Sequence, residues 1–281
     1  MSASRSQEIP VPAGVGPAAD GRGVLVVVPT YDERANLPGI VERVLGTVPG
    51  ARLLVVDDGS PDGTGELADG LAARDDRIAV LHHRPKRGLG AAYVDAFAHV
   101  MATHAADDVG WIVQMDADGS HAPEDLPSLL AAARTGGADL VLGSRYVPGG
   151  RVVNWPWYRN ALSRSANVYS RRALRLPVRD VTGGFRLFRR EVLAAVTASP
   201  VSSQGYCFQV DLAFRVQRAG YTVREVPIVF TERSAGASKM SGAVVREALW
   251  RITAWAVRDR LTALTALTPR ARRRRDPATG G

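Results

Sequence analysis

Five short apolar runs punctuate the first half of the chain: Val24–Val28, Leu53–Val56, Ile78–Leu81, Trp111–Met115 and Leu140–Leu142. Each is built from Val, Ile or Leu without alternation, the pattern of a strand covered on both faces. Between them lie stretches with helical spacing of apolar positions, at Asn36–Thr47, Gly65–Ala73, Ala91–His104 and Glu124–Arg134. Pro38 stands near the start of the first, where a missing amide hydrogen costs nothing. The alternation predicts an α/β fold, a mostly parallel sheet flanked by helices, with about five βα units by residue 145.

Ligands of such sheets bind beyond the carboxyl ends of the strands, and here those ends are polar. The first run ends in Pro29-Thr30-Tyr31-Asp32-Glu33 and the second in Asp57-Asp58-Gly59-Ser60-Pro61-Asp62-Gly63-Thr64. The fourth ends in Asp116-Ala117-Asp118-Gly119-Ser120-His121 and the fifth in Gly143-Ser144-Arg145-Tyr146. Each alone is also ordinary turn or capping chemistry. Four on one edge imply a cleft. Asp116 and Asp118 are one residue apart after a buried strand, a spacing that turns both carboxylates toward one small volume. Two hard oxygen donors with room for water and phosphate oxygens suit Mg²⁺ or Mn²⁺, not zinc. A cation there would neutralise a departing diphosphate. Asp58 is placed to accept a hydrogen bond from a nucleotide base or sugar.

Composition removes other classes. With 281 residues, 46% hydrophobic and 23% charged, the chain is of ordinary globular make-up. A single cysteine, Cys207, excludes an internal disulfide. Residues 1–22 read as a flexible leader without the apolar core of a signal peptide. The longest uncharged stretch, Val192–Val210, is interrupted by Ser, Pro and Gln and is no membrane span, so a soluble chain is expected. The net charge is +8, of which +5 falls between Arg258 and Gly281. A nearly neutral body without a zinc-finger, helix-turn-helix or RNA-binding signature argues against a nucleic-acid binder acting through the tail. No G-x-G-x-x-G follows the first strand, which argues against a dinucleotide-dependent oxidoreductase. His82, His83 and His121 lack metal-ligand spacing and read as structural.

The sequence motifs Val-Pro-Thr-Tyr-Asp-Glu (28–33), Asp-Asp-Gly-Ser-Pro-Asp-Gly-Thr (57–64), Lys-Arg-Gly-Leu-Gly-Ala-Ala-Tyr (86–93), Asp-Ala-Asp-Gly-Ser-His (116–121) and Gly-Ser-Arg-Tyr (143–146) resemble family 2 glycosyltransferases of the GT-A fold. Asp180-Val-Thr-Gly-Gly-Phe-Arg186, Gly205-Tyr-Cys-Phe-Gln209 and Arg233…Gly236-Ala-Ser-Lys239 narrow the likeness to the polyprenyl-phosphate or dolichol-phosphate mannose synthase branch. The resemblance implies a nucleotide-sugar pocket of Pro29, Tyr31, Glu33, Val56 and Asp58. It adds Asp116, Ala117 and Asp118 on diphosphate and metal, with Ser120 as a third metal ligand. Arg233 and Lys239 would reach the diphosphate from a far loop. Arg145, Arg159 and Ser163 would grip the acceptor phosphate, Arg145 also serving the donor and the chemistry. Asp211 stands where relatives often carry a Glu, and a purely structural part in its helix is the alternative.

The implied reaction moves mannose from GDP-mannose to polyprenyl phosphate with inversion. The same fold moving glucose or another sugar from a UDP-sugar is the alternative. A phosphate monoester is already mostly dianionic near neutral pH, so this acceptor needs no general base.

The lipid acceptor gives the C-terminus a reading. Val245, Leu249, Ile252 and Ala256, with Val244, Ala248 and Trp255, form one stripe, and Trp250 and Trp255 resemble interfacial anchors. The expected organisation is a leader (1–22), a GT-A domain (23–243), an amphipathic interfacial helix (244–263) and a disordered basic tail (264–281). Such a protein would sit in the cytoplasm on the inner membrane face, drawn to anionic lipid. A helix packed on its own domain is the competing reading of 244–263, and a separate integral membrane partner stays open.

Overall fold

The computed structural model describes residues 20–105, 108–201, 205–232 and 242–267. Arg233, Lys239 and the basic run Arg272–Arg275 lie outside the described residues, as does most of the expected leader. The chain divides into two compact units, residues 1–239 and 240–281.

In the first unit the five expected strands are all present: β1 (Val24–Thr30), β2 (Arg52–Asp57), β3 (Ile78–His82), β4 (Trp111–Gln114) and β5 (Leu140–Ser144). Helices α1 (Leu37–Thr47), α2 (Thr64–Ala72), α3 (Leu89–Thr103) and α4 (Leu126–Arg134) connect them, within a few residues of the spans expected from spacing. Every residue of β1 is buried, as an apolar run covered on both faces requires. Beyond β5 come β6 (Arg151–Val153), α5 (Trp157–Leu174), β7 (Arg186–Arg189), α6 (Arg190–Thr197), α7 (Gly205–Arg218), β8 (Val223–Pro227) and β9 (Val229–Thr231).

The main sheet has seven strands in the order β3-β2-β1-β4-β7-β5-β8. All neighbours are parallel except β7, which runs antiparallel to both β4 and β5. The expected mostly parallel sheet is present, and β5 is not the neighbour of β4. Residues 186–189, too short and too charged to read as a strand, are wedged between them. The wedge is possible because Leu187 faces Val113 and Val141 while Phe188 faces Ile112 and Leu140, so apolar partners meet on both faces.

On one face α1 and α4 bury Leu37, Ile40, Val41, Val44, Leu126, Leu129 and Leu130 against the sheet. On the other, α3 supplies Tyr93, stacked on Phe208 of α7, and Phe97, tilted against Phe188 of β7. A separate two-stranded sheet pairs β6 with β9. It brings Thr231 to the loop after β4, where its amide donates to the Ser120 carbonyl at 3.2 Å.

The described residues of the second unit form one helix, α8 (Gly242–Leu267), longer at both ends than the expected 244–263. Its Trp250, Val257 and Leu261 are exposed (71%, 48% and 57%) and lie about one helical turn or two apart. This ridge differs from the expected stripe, whose Ile252 and Ala256 are buried. Among the described residues no helix is long and apolar enough to cross a membrane.

Candidate active site

The carboxyl ends of β1, β2, β4 and β5 converge with the entry to β7. On the nucleotide side, Asp57 closes a turn: its carboxylate accepts from the Ser60 hydroxyl at 2.5 Å and amide at 3.2 Å, and from the Thr30 hydroxyl at 3.3 Å. A Cβ at Gly65 would lie 2.9 Å from that carboxylate, so the first turn of α2 can approach only as glycine. Asp58 is buried, and its carboxylate accepts the amides of Arg87 (2.8 Å) and Gly88 (2.7 Å), with His83 Nδ1 at 3.4 Å. Its first duty is thus to hold the loop before α3 against the end of β2.

Tyr31 and Glu33 line the mouth, half-buried. The Lys86 ammonium sits over the Tyr31 ring, 2.9 Å from its centre, and Glu33 accepts from the Asn36 amide at 2.7 Å. Pro29 and Val56 are register partners across β1 and β2 and are buried. Their side chains belong to the sheet, so only backbone there can meet a nucleotide.

The Asp116–Asp118 segment leaves β4 under tight local control. The Asp116 amide donates to His121 Nδ1 at 3.1 Å, fixing that nitrogen as an acceptor. Burial pushes the imidazole below its ordinary value, so the ring is neutral, stacked on Phe185 at 5.2 Å. Tyr93, its phenol held well above the ordinary value by burial and then by Asp116, donates to Asp116 Oδ1 at 3.4 Å. Asp118 accepts the Ser120 amide at 3.0 Å, and Ala117 is buried in the core. The Ser120 hydroxyl is buried without a hydrogen-bond partner among the described residues.

Two carboxylates beside an orphaned hydroxyl form an all-oxygen donor set that fits a hard divalent cation. Among the described residues no three His, Cys, Asp or Glu side chains gather into a metal site. Asp116, Asp118 and Ser120 would therefore share such an ion with the oxygens of a substrate.

On the opposite side, Arg145 is buried and forms a two-pronged ion pair with Asp180, both contacts 2.7 Å, while its amide reaches the same carboxylate at 2.9 Å. Burial alone would raise the Asp180 carboxyl, but the Arg145 charge and hydrogen bonds outweigh it and hold it below the ordinary value. Arg145 also donates to the Thr182 hydroxyl at 2.9 Å. Its guanidinium lies 5.2–5.5 Å from the rings of Tyr146, Phe230 and Trp155. The residue expected to grip phosphate is thus first a buried structural charge.

Arg159 stacks over Trp155 at 4.3 Å and makes a close ion pair with Glu232. Ser163, one turn on, accepts from the Tyr146 hydroxyl at 2.7 Å, which leaves its own O–H to donate. The structure brings Arg145, Arg159 and Ser163 to one end of α5 around Tyr146 and Trp155. Asp211 is buried and paired with Arg215 at 2.8 Å, which in turn caps carbonyls at the end of α6. That matches the structural alternative.

Sequence reasoning assigned no roles to Asp180, Thr182, Asn167, Glu225 or Arg186. Arg186 is fully buried and donates to the carbonyls of Val181, Gly183 and Gln209 at 2.5–2.8 Å. Burial pushes its guanidinium down to about 9, still charged at neutral pH. The Glu225 carboxylate accepts the amides of Arg179 and Asp180 at 2.7 and 2.8 Å. The one available signal was the Asp180–Arg186 motif itself, whose two glycines mark a close backbone approach.

Comparisons with known proteins place the chain in a family. The model of glycosyl transferase family 2 matches residues 25–197. The chain is 53% identical, over 89% of its length and 92% of the relative's, to a polyprenol monophosphomannose synthase of Mycolicibacterium smegmatis. It is 48% identical, over 86% of its length and 98% of the relative's, to an undecaprenyl-phosphate mannosyltransferase of Micrococcus luteus. Among solved structures it resembles glucosyl-3-phosphoglycerate synthase of Mycobacterium tuberculosis in complex with Mn²⁺, UDP-glucose and phosphoglyceric acid. That match has a TM-score of 0.66 and 21% identity, covering 90% of this chain and 86% of the other, a likeness of fold. The chain belongs to glycosyl transferase family 2.

Proposed function

We propose that the protein transfers mannose from GDP-mannose to a polyprenyl phosphate, giving polyprenyl-phosphate mannose and GDP. The observation that carries this reading is the make-up of α5. Its first turns expose Trp157 (82%) and Tyr158 (62%), followed by Leu162, while the same turns carry Arg159 and Ser163. An acceptor with a phosphate head and a long apolar tail fits such a helix better than a soluble sugar does. The two mannosyl-transferring relatives support the same class of acceptor.

Asp116 and Asp118 hold the diphosphate end of the donor, with a divalent ion, Mg²⁺ or Mn²⁺, supplying charge neutralisation to the departing GDP. Ser163 donates to the acceptor phosphate, and Arg159, released from Glu232, pairs with its oxygens. Arg145 backs that pocket through Asp180 and fixes the surrounding rings. A phosphate oxygen then attacks the anomeric carbon from the face opposite GDP, inverting it. Holding that oxygen in line is the main task left to the protein. Arg233 and Lys239, which lie outside the described residues, are the cations proposed for the diphosphate.

The protein works at the inner membrane surface. The exposed Trp250, Val257 and Leu261 of α8 and the arginines that follow supply apolar contact and attraction to anionic lipid. Binding to anionic vesicles in a flotation assay is expected to weaken when the chain ends at Val257, and unchanged binding would remove the tail from this account.

The deciding experiment incubates the protein with labelled GDP-mannose or UDP-glucose, polyprenyl phosphate and Mg²⁺ or Mn²⁺, and counts solvent-extractable label. Label from GDP-mannose alone is expected. Label from UDP-glucose alone would overturn the donor in favour of the glucosyl reading.

A further inference from the structure

We infer that Asn167 is a positioning residue that sets the distance between the acceptor-holding face of α5 and the Asp116–Asp118 carboxylates. The inference rests on the reading of α5 as the acceptor helix. Asn167 lies one turn beyond Ser163 and two beyond Arg159, on the same face. It is 2% exposed, and its amide is saturated. Its Oδ1 accepts the backbone amides of Val181 (2.7 Å) and Thr182 (3.2 Å). Its Nδ2 donates to the Ser163 carbonyl (3.0 Å) and the Thr182 hydroxyl (2.9 Å).

One side chain thus ties the turn that carries Ser163 to the loop that enters β7. Within two residues that loop reaches the metal carboxylates: a Cβ at Gly184 would stand 3.3 Å from Asp116 Oδ2 and 3.4 Å from His121 Cε1. The loop is rigid at both ends. Glu225 and Arg145 hold Asp180, and Arg186 holds the carbonyls of Val181 and Gly183. Among the described residues, beside the Tyr146–Ser163 bond that joins α5 to the end of β5, the Asn167 amide is the direct side-chain link from α5 to the backbone of this loop. The Thr182 hydroxyl extends it by also receiving Arg145 at 2.9 Å.

An isolated buried amide that satisfied only its own helix would affect folding and little else. An amide bridging two substrate-holding elements affects their spacing, and a misplacement of about 1 Å can cost on the order of a hundredfold in rate. The signature is a fall in kcat while donor binding stays intact.

The test uses the full-length protein and three variants, Asn167→Ala, Asn167→Asp and Thr182→Val. Transfer to polyprenyl phosphate, GDP affinity with Mn²⁺ by calorimetry, and melting temperature are measured for each. Asn167→Ala should lower kcat about thirtyfold to a hundredfold, with GDP affinity and donor KM within about twofold of wild type. Asn167→Asp keeps the two accepted backbone bonds and should recover at least about tenfold of that loss. Thr182→Val leaves those bonds too, should lower kcat several-fold, and carries the test if the alanine variant does not fold.

Wild-type kcat in Asn167→Ala or, failing that, in Thr182→Val overturns the inference. So does a loss in which kcat, GDP affinity and melting temperature fall together and Asp does not restore them. A wild-type protein that makes no lipid-linked product refutes the acceptor reading itself, and with it this role. Wild-type turnover with unimpaired variants refutes the role alone.

Discussion

The two walls of the cleft are held by different kinds of bond. On the wall proposed to hold the donor, several carboxylates are fixed by neighbours in the chain: Asp57 by Ser60, Asp62 by Thr64 and Asp118 by Ser120, two or three residues away. Asp58 is held by Arg87 and Gly88, and Asp116 by Tyr93, from farther along. On the acceptor wall the bonds span the fold: Arg145 to Asp180 across 35 residues, Asp180 to Glu225 across 45, and Val181 to Asn167 across 14. Asp57, Asp62 and Asp118 sit in turns that are largely local in their bonding. The acceptor wall exists only once the whole sheet is assembled, and its central ion pair is buried. Substitution of the locally bonded Asp118 should therefore cost activity, and breaking the buried Arg145–Asp180 pair should cost stability first.

The sharpest separation is expected from Asp118→Ala. Turnover should fall by about a thousandfold or more, since a diphosphate leaving group loses its metal-side support. Melting temperature should move little, because Asp118 is half-exposed and locally bonded. Normal metal-dependent turnover in this variant would remove the carboxylate from the metal assignment.

Asp180→Ala should behave in the opposite way. It leaves the Arg145 charge buried and unpaired, a loss of about 3–5 kcal/mol in unfolding free energy. Replacing both, as Arg145→Met with Asp180→Leu, should recover part of it, measured by urea denaturation. The pair also has a pH signature. Its carboxyl titrates lower in the folded state than in the unfolded one, so its contribution is full above the ordinary carboxylate range and disappears as pH falls below it. If Asp180→Ala is as stable as wild type at pH 7, the contrast between the walls collapses.

Arg159→Ala probes the rim of the acceptor wall, where the ion pair with Glu232 is partly open to water. The expected result is a rise of about tenfold in the apparent KM for polyprenyl phosphate, with kcat and stability nearly unchanged. A change in KM for the sugar nucleotide instead would move Arg159 to the other wall.

The smallest effect is expected at Asp125, just before α4. Burial, then Glu124, pushes its carboxyl up to about 6. The folded state thus holds a proton that the unfolded state has already lost, and stability declines as pH rises from about 4 through 6. Asp125→Asn should be more stable than wild type by about 1 kcal/mol at pH 8, after discounting for its partial exposure, and no different at pH 4. Thermal melts at the two pH values check it.

The same contrast explains what the sequence disclosed. The five parallel strands, four of the helices and the polar strand ends were legible because each is written in a contiguous stretch. Asp116 and Asp118 stand out by their spacing together with the buried strand that precedes them. Arg145 reads by likeness as a phosphate-holding cation, and its bonded partner Asp180 is not foreseen, because it lies on a loop that no local pattern places beside it. Val56 is assigned to the nucleotide pocket by likeness; its full burial, paired in register with Pro29, leaves its backbone for that role. Strand β7 was illegible for the same reason: four residues framed by two arginines read as a strand only between β4 and β5. Asn167 in a helix of mixed polarity carried no signal at all.

That wedged strand has a consequence for how the polypeptide is made. As the chain leaves the ribosome, β1 to β4 can align in order, but β4 then presents a bare edge, and β5 emerges with no neighbour to pair with. Both wait until residue 189 has cleared the exit tunnel, and β5 gains its second neighbour only when β8 follows. A nascent chain halted near residue 150 should therefore bind chaperones and aggregate through an unpaired edge instead of folding as a small nucleotide-binding domain.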